Sequence, residues 1–269
     1  MKCHGFTLIE LLIVIAVIAM LIGISLPVLH IARQQANAVA CGSNIKQLSL
    51  ALTVYDQENG TFPHGFDDSI PSLVPPPGDR VGDATYDKMG WWWFHFLANI
   101  LGEDFDKGTV VWCPSRRIQD PGPQANVLCG NYGVNRAICK DAPGTIGGEF
   151  VGKPLSLHQI RSSAETLLIT DSGYSLISWR GATDAPGQPF ENPAREGSFY
   201  VPGLGFNKER ILFPGHEEDA IYGRHPNRSV NAGFADSHVD RVKADDLFVE
   251  EIDGDYSNRS PLWLPKTKK

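Results

Sequence analysis

The stretch FTLIELLIVIAVIAMLIGISLPVLH, residues 6–30, decides how the rest of the chain is read. It carries one carboxylate, Glu10, and no further charge appears until Arg33. From Leu11 to Leu29 nineteen residues follow without an ionisable side chain, and Phe6, Leu8 and Ile9 extend the run. A helix crosses a hydrocarbon core of about 30 Å in about 20 apolar residues, so the segment has the length of a membrane span. A secretory signal peptide has a shorter apolar core and then a small-x-small cleavage site. Here Pro27 follows instead, and after it a polar stretch of helical pattern. A plain anchor fits the length but gives Glu10 no purpose. A carboxylate at mid-span costs about 2.5–3.5 kcal/mol and less near an end, so on that reading Glu10 is an interfacial acid.

A third reading uses more residues. Lys2, Gly5, Phe6, Thr7, Leu8, Ile9 and Glu10, followed by Leu11 and Leu12, resemble the type IV prepilin signature. The resemblance implies a leader of residues 1–5, a peptidase cut between Gly5 and Phe6 on the cytoplasmic side, and N-methylation of Phe6. It further implies that Glu10 pairs with the Phe6 amine of a neighbouring subunit as a filament grows. Physical chemistry agrees, because a buried carboxylate needs a partner and an ammonium in low dielectric is a strong one. Pro27 falls where many pilins kink, although membrane helices tolerate proline in general. Lys2 and the initial amine place the N-terminus on the cytoplasmic side, a sparse positive-inside signal.

Beyond the span, Ile45, Leu48, Leu52 and Tyr55 recur at three- and four-residue steps with Ala51 on the same stripe, which predicts a continued amphipathic helix over 30–58. Asn59-Gly60 and then Pro63 are its stop. A helix from Phe6 to Glu58 would be about 80 Å long. Such a rod buries its first half among neighbours and its striped half against a head domain, residues 59–269. Within CGSNIKQLSLALTVYDQENGTFP, residues 41–63, the positions Cys41, Asn44, Lys46, Gln47, Tyr55, Asn59, Gly60, Phe62 and Pro63 resemble the hallmark of a large pseudopilin-like group abundant in planctomycetes. Cys113-Pro114-Ser115, Asn131 to Asn135 and Thr170-Asp171-Ser172 resemble later pieces of that group. Its C-terminal signature is a His, nine residues, then Asp-Gly. This chain has His225, ten residues, then Asp236-Ser237, and a left-handed turn position is costlier for Ser than for Gly.

The head reads as α+β, a pilin-like antiparallel sheet rich in loops, with 27 Gly and 19 Pro in the chain. Strands are predicted at 109–113, 166–171, 175–179, 229–235 and 238–242. The run MGWWWFHFLANILG, residues 89–102, places Trp92, Phe96 and Ile100 at four-residue steps, which predicts a helix anchored in the core. Trp91, Trp93 and Phe94 would then face elsewhere and offer rings to a sugar or another subunit.

Cys3 leaves with the leader. An even set remains, Cys41, Cys113, Cys129 and Cys139, which in an exported domain predicts two disulfides with three connectivities open. A zinc site of four thiolates is the rival, without a CxxC pair to support it. Asp236 and His238 alternate along a predicted hairpin, and His225 could join them as a mixed N/O metal set. Otherwise Asp236 and His238 are a surface hydrogen-bonded pair. Glu250, Glu251, Asp253 and Asp255 surround Gly254 with the oxygen ligands calcium prefers, without EF-hand spacing. The residues alone give a solvated acidic loop, and calcium is what the resemblance to major pseudopilins adds. Asp171-Ser172-Gly173 with His225 could be drawn as a catalytic set, but Asp and Ser punctuate turns and only geometry identifies a triad. No enzyme is expected.

A formal net charge of −7 argues against a nucleic-acid partner, and Lys266, Lys268 and Lys269 form only a short tail. The expectation is a pilin-like or type II secretion pseudopilin subunit, single-pass in the inner membrane with its head in the periplasm. Its implied partners are itself or other pseudopilins, the prepilin peptidase, and an assembly platform with its ATPase. The alternative is a permanently anchored binding module, for instance for polysaccharide.

Overall fold

The computed structural model describes residues 7–70, 90–102, 105, 108–118, 128–143, 148–184 and 197–267. The expected leader, Gly5 and Phe6 lie outside the described residues. Helix α1, Leu8–Asn59, is a single helix of 52 residues with Pro27 inside it. Thr7 caps it in a reciprocal box with Glu10. At the other end Gly60 takes φ +77° and its N–H returns to the Asp56 carbonyl, a left-handed stop that glycine adopts without steric cost. From Leu8 to Leu29 every residue is exposed. Burial begins at Ala38 and continues through Cys41, Ile45, Leu48 and Leu52, a stripe at three- and four-residue steps.

That stripe lies on the sheet. The five strands are β3 (Tyr132–Asn135), β4 (Leu167–Asp171), β5 (Leu176–Ile177), β6 (Ser229–Phe234) and β7 (Val239–Lys243), in the order β5-β3-β4-β6-β7. All pairs are antiparallel except β3–β5, so the predicted antiparallel sheet has one parallel pair. At Gly233 on β6 an added Cβ would meet Ser49 Oγ at 2.6 Å and Ile45 Cγ2 at 2.7 Å, so helix and sheet touch almost backbone to side chain. The β6–β7 turn is fastened to the helix as well. Lys46 Nζ donates to the Ser237 carbonyl at 2.7 Å, and the Ser237 and Thr53 hydroxyls lie 2.9 Å apart. Ser237 does occupy the left-handed turn position, at φ +70°. Its hydroxyl bonds to α1 offset a strain of about 1–2 kcal/mol and do what Gly could not.

Two local readings change. Residues 109–113 form a turn, not a strand: the Trp112 N–H closes onto the Thr109 carbonyl, and the Cys113 N–H onto Asn131 Oδ1. The aromatic run is not one helix. Trp91–Trp92 is strand β2, paired with β1 (Phe66–Asp67), followed by a 3-10 turn at His95–Leu97 and the short α2, Ala98–Leu101. Trp92, Trp93 and Phe94 are fully buried, so the expected exposed rings at Trp93 and Phe94 are core instead. Strand-then-turn geometry alternates faces in a way four-residue counting misses. The whole is the α+β, pilin-like arrangement: a long apolar-to-amphipathic helix docked on a sheet.

Candidate functional site

Two regions carry chemistry. The first is the start of α1. One oxygen of Glu10, Oε2, accepts both the Thr7 N–H at 2.9 Å and the Thr7 hydroxyl at 2.8 Å. The lone acid of the span is therefore held by its own helix terminus, where backbone N–H groups and the helix dipole favour a negative charge. The apolar surface behind it, from Leu11 to Leu29, is long enough to cross a membrane and faces no part of the head among the described residues.

The second region is a buried polar cluster where α1 meets the head. Arg224 grips Asp219 with Nε at 2.6 Å and Nη2 at 2.7 Å, a two-pronged pair. Its remaining donors reach the Asn131 and Ser172 carbonyls, and Tyr200 donates to Asp219 at 3.0 Å. Asp219 belongs to α3, Glu217–Tyr222. Asp171, at the end of β4, accepts the Asn231 N–H at 2.7 Å and faces His225 Nε2 at 3.1 Å. Burial would raise the Asp171 carboxyl, but His225 and Arg224 hold it below its ordinary value. His225 moves the other way. Burial disfavours its charge, yet Asp171 lifts it to about 9.

Cys41 of α1 and Cys113 complete the cluster. Their sulfurs and a ring nitrogen of His225 lie within 4.8 Å of one another. The Cys113 thiol, hydrogen-bonded to it, and His225 bring Cys41 down to about 6, whereas burial pushes Cys113 well up. Burial likewise raises Cys129, to about 12, and Cys139. The expected two disulfides are not what the structure shows: all four cysteines are thiols. The described His, Cys, Asp and Glu side chains that converge as a group include Cys41 and Cys113 but neither Cys129 nor Cys139.

The metal sets expected from sequence are not assembled among the described residues. His225 is drawn inward to Asp171, away from Asp236 and His238. Those two form a half-exposed pair at the β6–β7 turn, His238 Nδ1 lying 2.5 Å from Asp236 Oδ1. Glu250, Glu251, Asp253 and Asp255 are all exposed around a tight Ile252–Asp255 bridge, with carboxylates that do not converge. In the Asp171-Ser172-Gly173 turn the Gly130 N–H donates to the Gly173 carbonyl and the Tyr174 N–H to Ser172 Oγ. The cluster spans residues 41 to 225, so no local period reveals it. One signal was present: Cys41 stands four residues before Ile45 on the same inward stripe. The segments quoted for the resemblance, at Cys41, Cys113, Asn131, Asp171 and His225, all meet here.

The prokaryotic N-terminal methylation motif matches residues 1–26. The chain thus carries the type IV pilin and pseudopilin signature, the mark of a precursor processed by prepilin peptidase and of filament assembly in general. No curated protein and no solved structure matches the chain.

Proposed function

We propose that the chain is a structural subunit of a type II secretion or type IV pilus-like filament, and not an enzyme. It is made as a single-pass inner-membrane precursor with its head in the periplasm, cut after Gly5 and methylated at Phe6. The observation that carries the reading is the 22-residue exposed apolar surface from Leu8 to Leu29, continuous with a helix whose turns from Ala38 onward are locked into a head. An apolar helix can leave lipid for a filament core of equal polarity at little cost, whereas a binding module needs only an anchor. Glu10 fits the same scheme. Its Oε2 is held by Thr7 in the single chain, and Oε1 is left to receive the neighbour's Phe6 ammonium. Head-to-tail contacts of this kind do not close and so build a helix of subunits. Assembly on a platform driven by an ATPase follows from that scheme, with self or other pseudopilins as neighbours.

The test is Glu10→Gln in cells that make the filament. Membrane insertion and leader removal are expected to persist while sheared filaments disappear. Filaments at wild-type yield from Glu10→Gln would remove the charge pairing from the account, and a wild-type chain that never leaves the membrane would favour the anchored module.

A further inference from the structure

The cluster at the junction of rod and head points beyond assembly, and it does so whether or not the chain forms filaments. Cys41 comes from α1, Cys113 from the turn before Pro114, and His225 from the segment ahead of β6. Each offers one ligating atom, and the three atoms lie within 4.8 Å of one another. The residues are 0%, 0% and 4% exposed. His225 is oriented from behind, its Nε2 lying 3.1 Å from Asp171 Oδ2 and 3.1 Å from Asn231 Nδ2. That leaves Nδ1 buried and, apart from the Cys41 thiol with which His225 interacts, without a partner among the described residues. A carboxylate holding one ring nitrogen while the other is left open is the arrangement that orients metal-ligating histidines.

We propose that Cys41, Cys113 and His225 bind one zinc ion that ties the helical rod to the head. Two thiols and an imidazole form an N/S set suited to tetrahedral zinc, with one non-protein ligand such as water completing the four. Two thiolates balance the 2+ ion. Both thiol protons and the Nδ1 proton of the His225 imidazolium pass to solvent, leaving a neutral ring whose Nε2–H faces Asp171, with Arg224 Nη1 at 4.0 Å from the Asp171 carboxylate. A Cys41–Cys113 disulfide is the competing use of the same sulfurs. It requires an oxidant and leaves the His225 Nδ1 unpaired, whereas the metal employs all three side chains. Because a zinc site forms only when its ligands are gathered, binding adds to folding and fixes the angle at which the rod leaves the head.

The experiment uses the full chain in detergent, reduced and stripped of metal, titrated with Co²⁺ as a coloured stand-in for zinc. A thiolate-to-cobalt charge-transfer band that saturates at one ion per chain and is abolished by Zn²⁺ is the expected result. Cys41→Ser, Cys113→Ser and His225→Gln should each eliminate the band, and Cys139→Ser should leave it unchanged. Asp171→Asn, a positioning change, should weaken binding about 10–100-fold. The wild-type titration decides alone if a variant fails to fold. No charge-transfer band at stoichiometric cobalt overturns the proposal, and so does a Cys41–Cys113 disulfide found by peptide mapping of protein taken directly from cells.

Discussion

Replacing Gly233 by alanine places a methyl group between α1 and the sheet, and the structure gives the consequence in numbers. The new carbon would stand 2.6 Å from Ser49 Oγ, 2.7 Å from Ile45 Cγ2 and 2.9 Å from Ile169 Cγ2. Carbon pairs prefer about 3.5–4.0 Å, so neighbours on both sides must retreat by about 1 Å. Gly233 does not need a left-handed conformation, so in open space alanine would stabilise by about 0.4–1 kcal/mol through the unfolded chain. Overpacking of this size costs about 1–3 kcal/mol, and the clash is expected to win. A second substitution tests the cause. Ser49→Ala removes the nearest atom, a buried hydroxyl without a hydrogen-bond partner among the described residues. The double variant should therefore lose less than the sum of the singles, by at least about 0.5 kcal/mol of coupling. Denaturant unfolding of the full chain in detergent, followed by the fluorescence of buried Trp92, Trp93 and Trp263, reads all four proteins. A Gly233→Ala chain as stable as wild type, or strictly additive effects, would refute the docking of α1 on β6.

Two further outcomes follow. Arg224→Met leaves the Asp219 carboxylate and the Asn131 and Ser172 carbonyls buried without their donor, and should cost about 3–5 kcal/mol in the same unfolding assay. His95 accepts the Trp92 N–H at 3.0 Å, and burial lowers its pKa to about 3. The unfolded chain, with a histidine near 6.5, then takes up the proton first as pH falls. The stability is fully present above about pH 6.5, is lost on the way down to about 3, and reaches a loss of about 3 kcal/mol by pH 4. His95→Gln should flatten that part of the pH–stability curve. His216, lowered to about 4 by burial, keeps its own share in both proteins.

How far the sequence carried the structure depended on whether the signal was local. The rod was legible because Leu11 to Leu29 lack any charge and Ile45, Leu48 and Leu52 repeat at helical steps, a pattern only a helix can bury on one side. Strands β4, β6 and β7 were legible as β-rich runs bounded by turn residues. Strand β3 was not: Tyr132–Asn135 is four residues with a glycine inside and no alternation, buried throughout. The aromatic run misled because its spacing suits a helix, while the pairing of Trp91–Trp92 with Phe66–Asp67 is decided by residues 24 and 26 positions away. At the candidate site the processing signature was legible residue by residue, since a peptidase reads sequence. The cluster of Cys41, Cys113, Asp171 and His225 was not. Its members are individually ordinary and become a site only when α1 is laid across the sheet, which is also why spacing along the chain points His225 to Asp236 while the fold turns it to Asp171.

The central claim is that this chain is a processed filament subunit. Its most direct measurement is the intact mass and N-terminal sequence of the membrane-extracted protein from cells with and without prepilin peptidase. The account predicts a peptidase-dependent N-terminus at Phe6, heavier by one methyl group than the bare cut. A start at Met1 in both strains would contradict it.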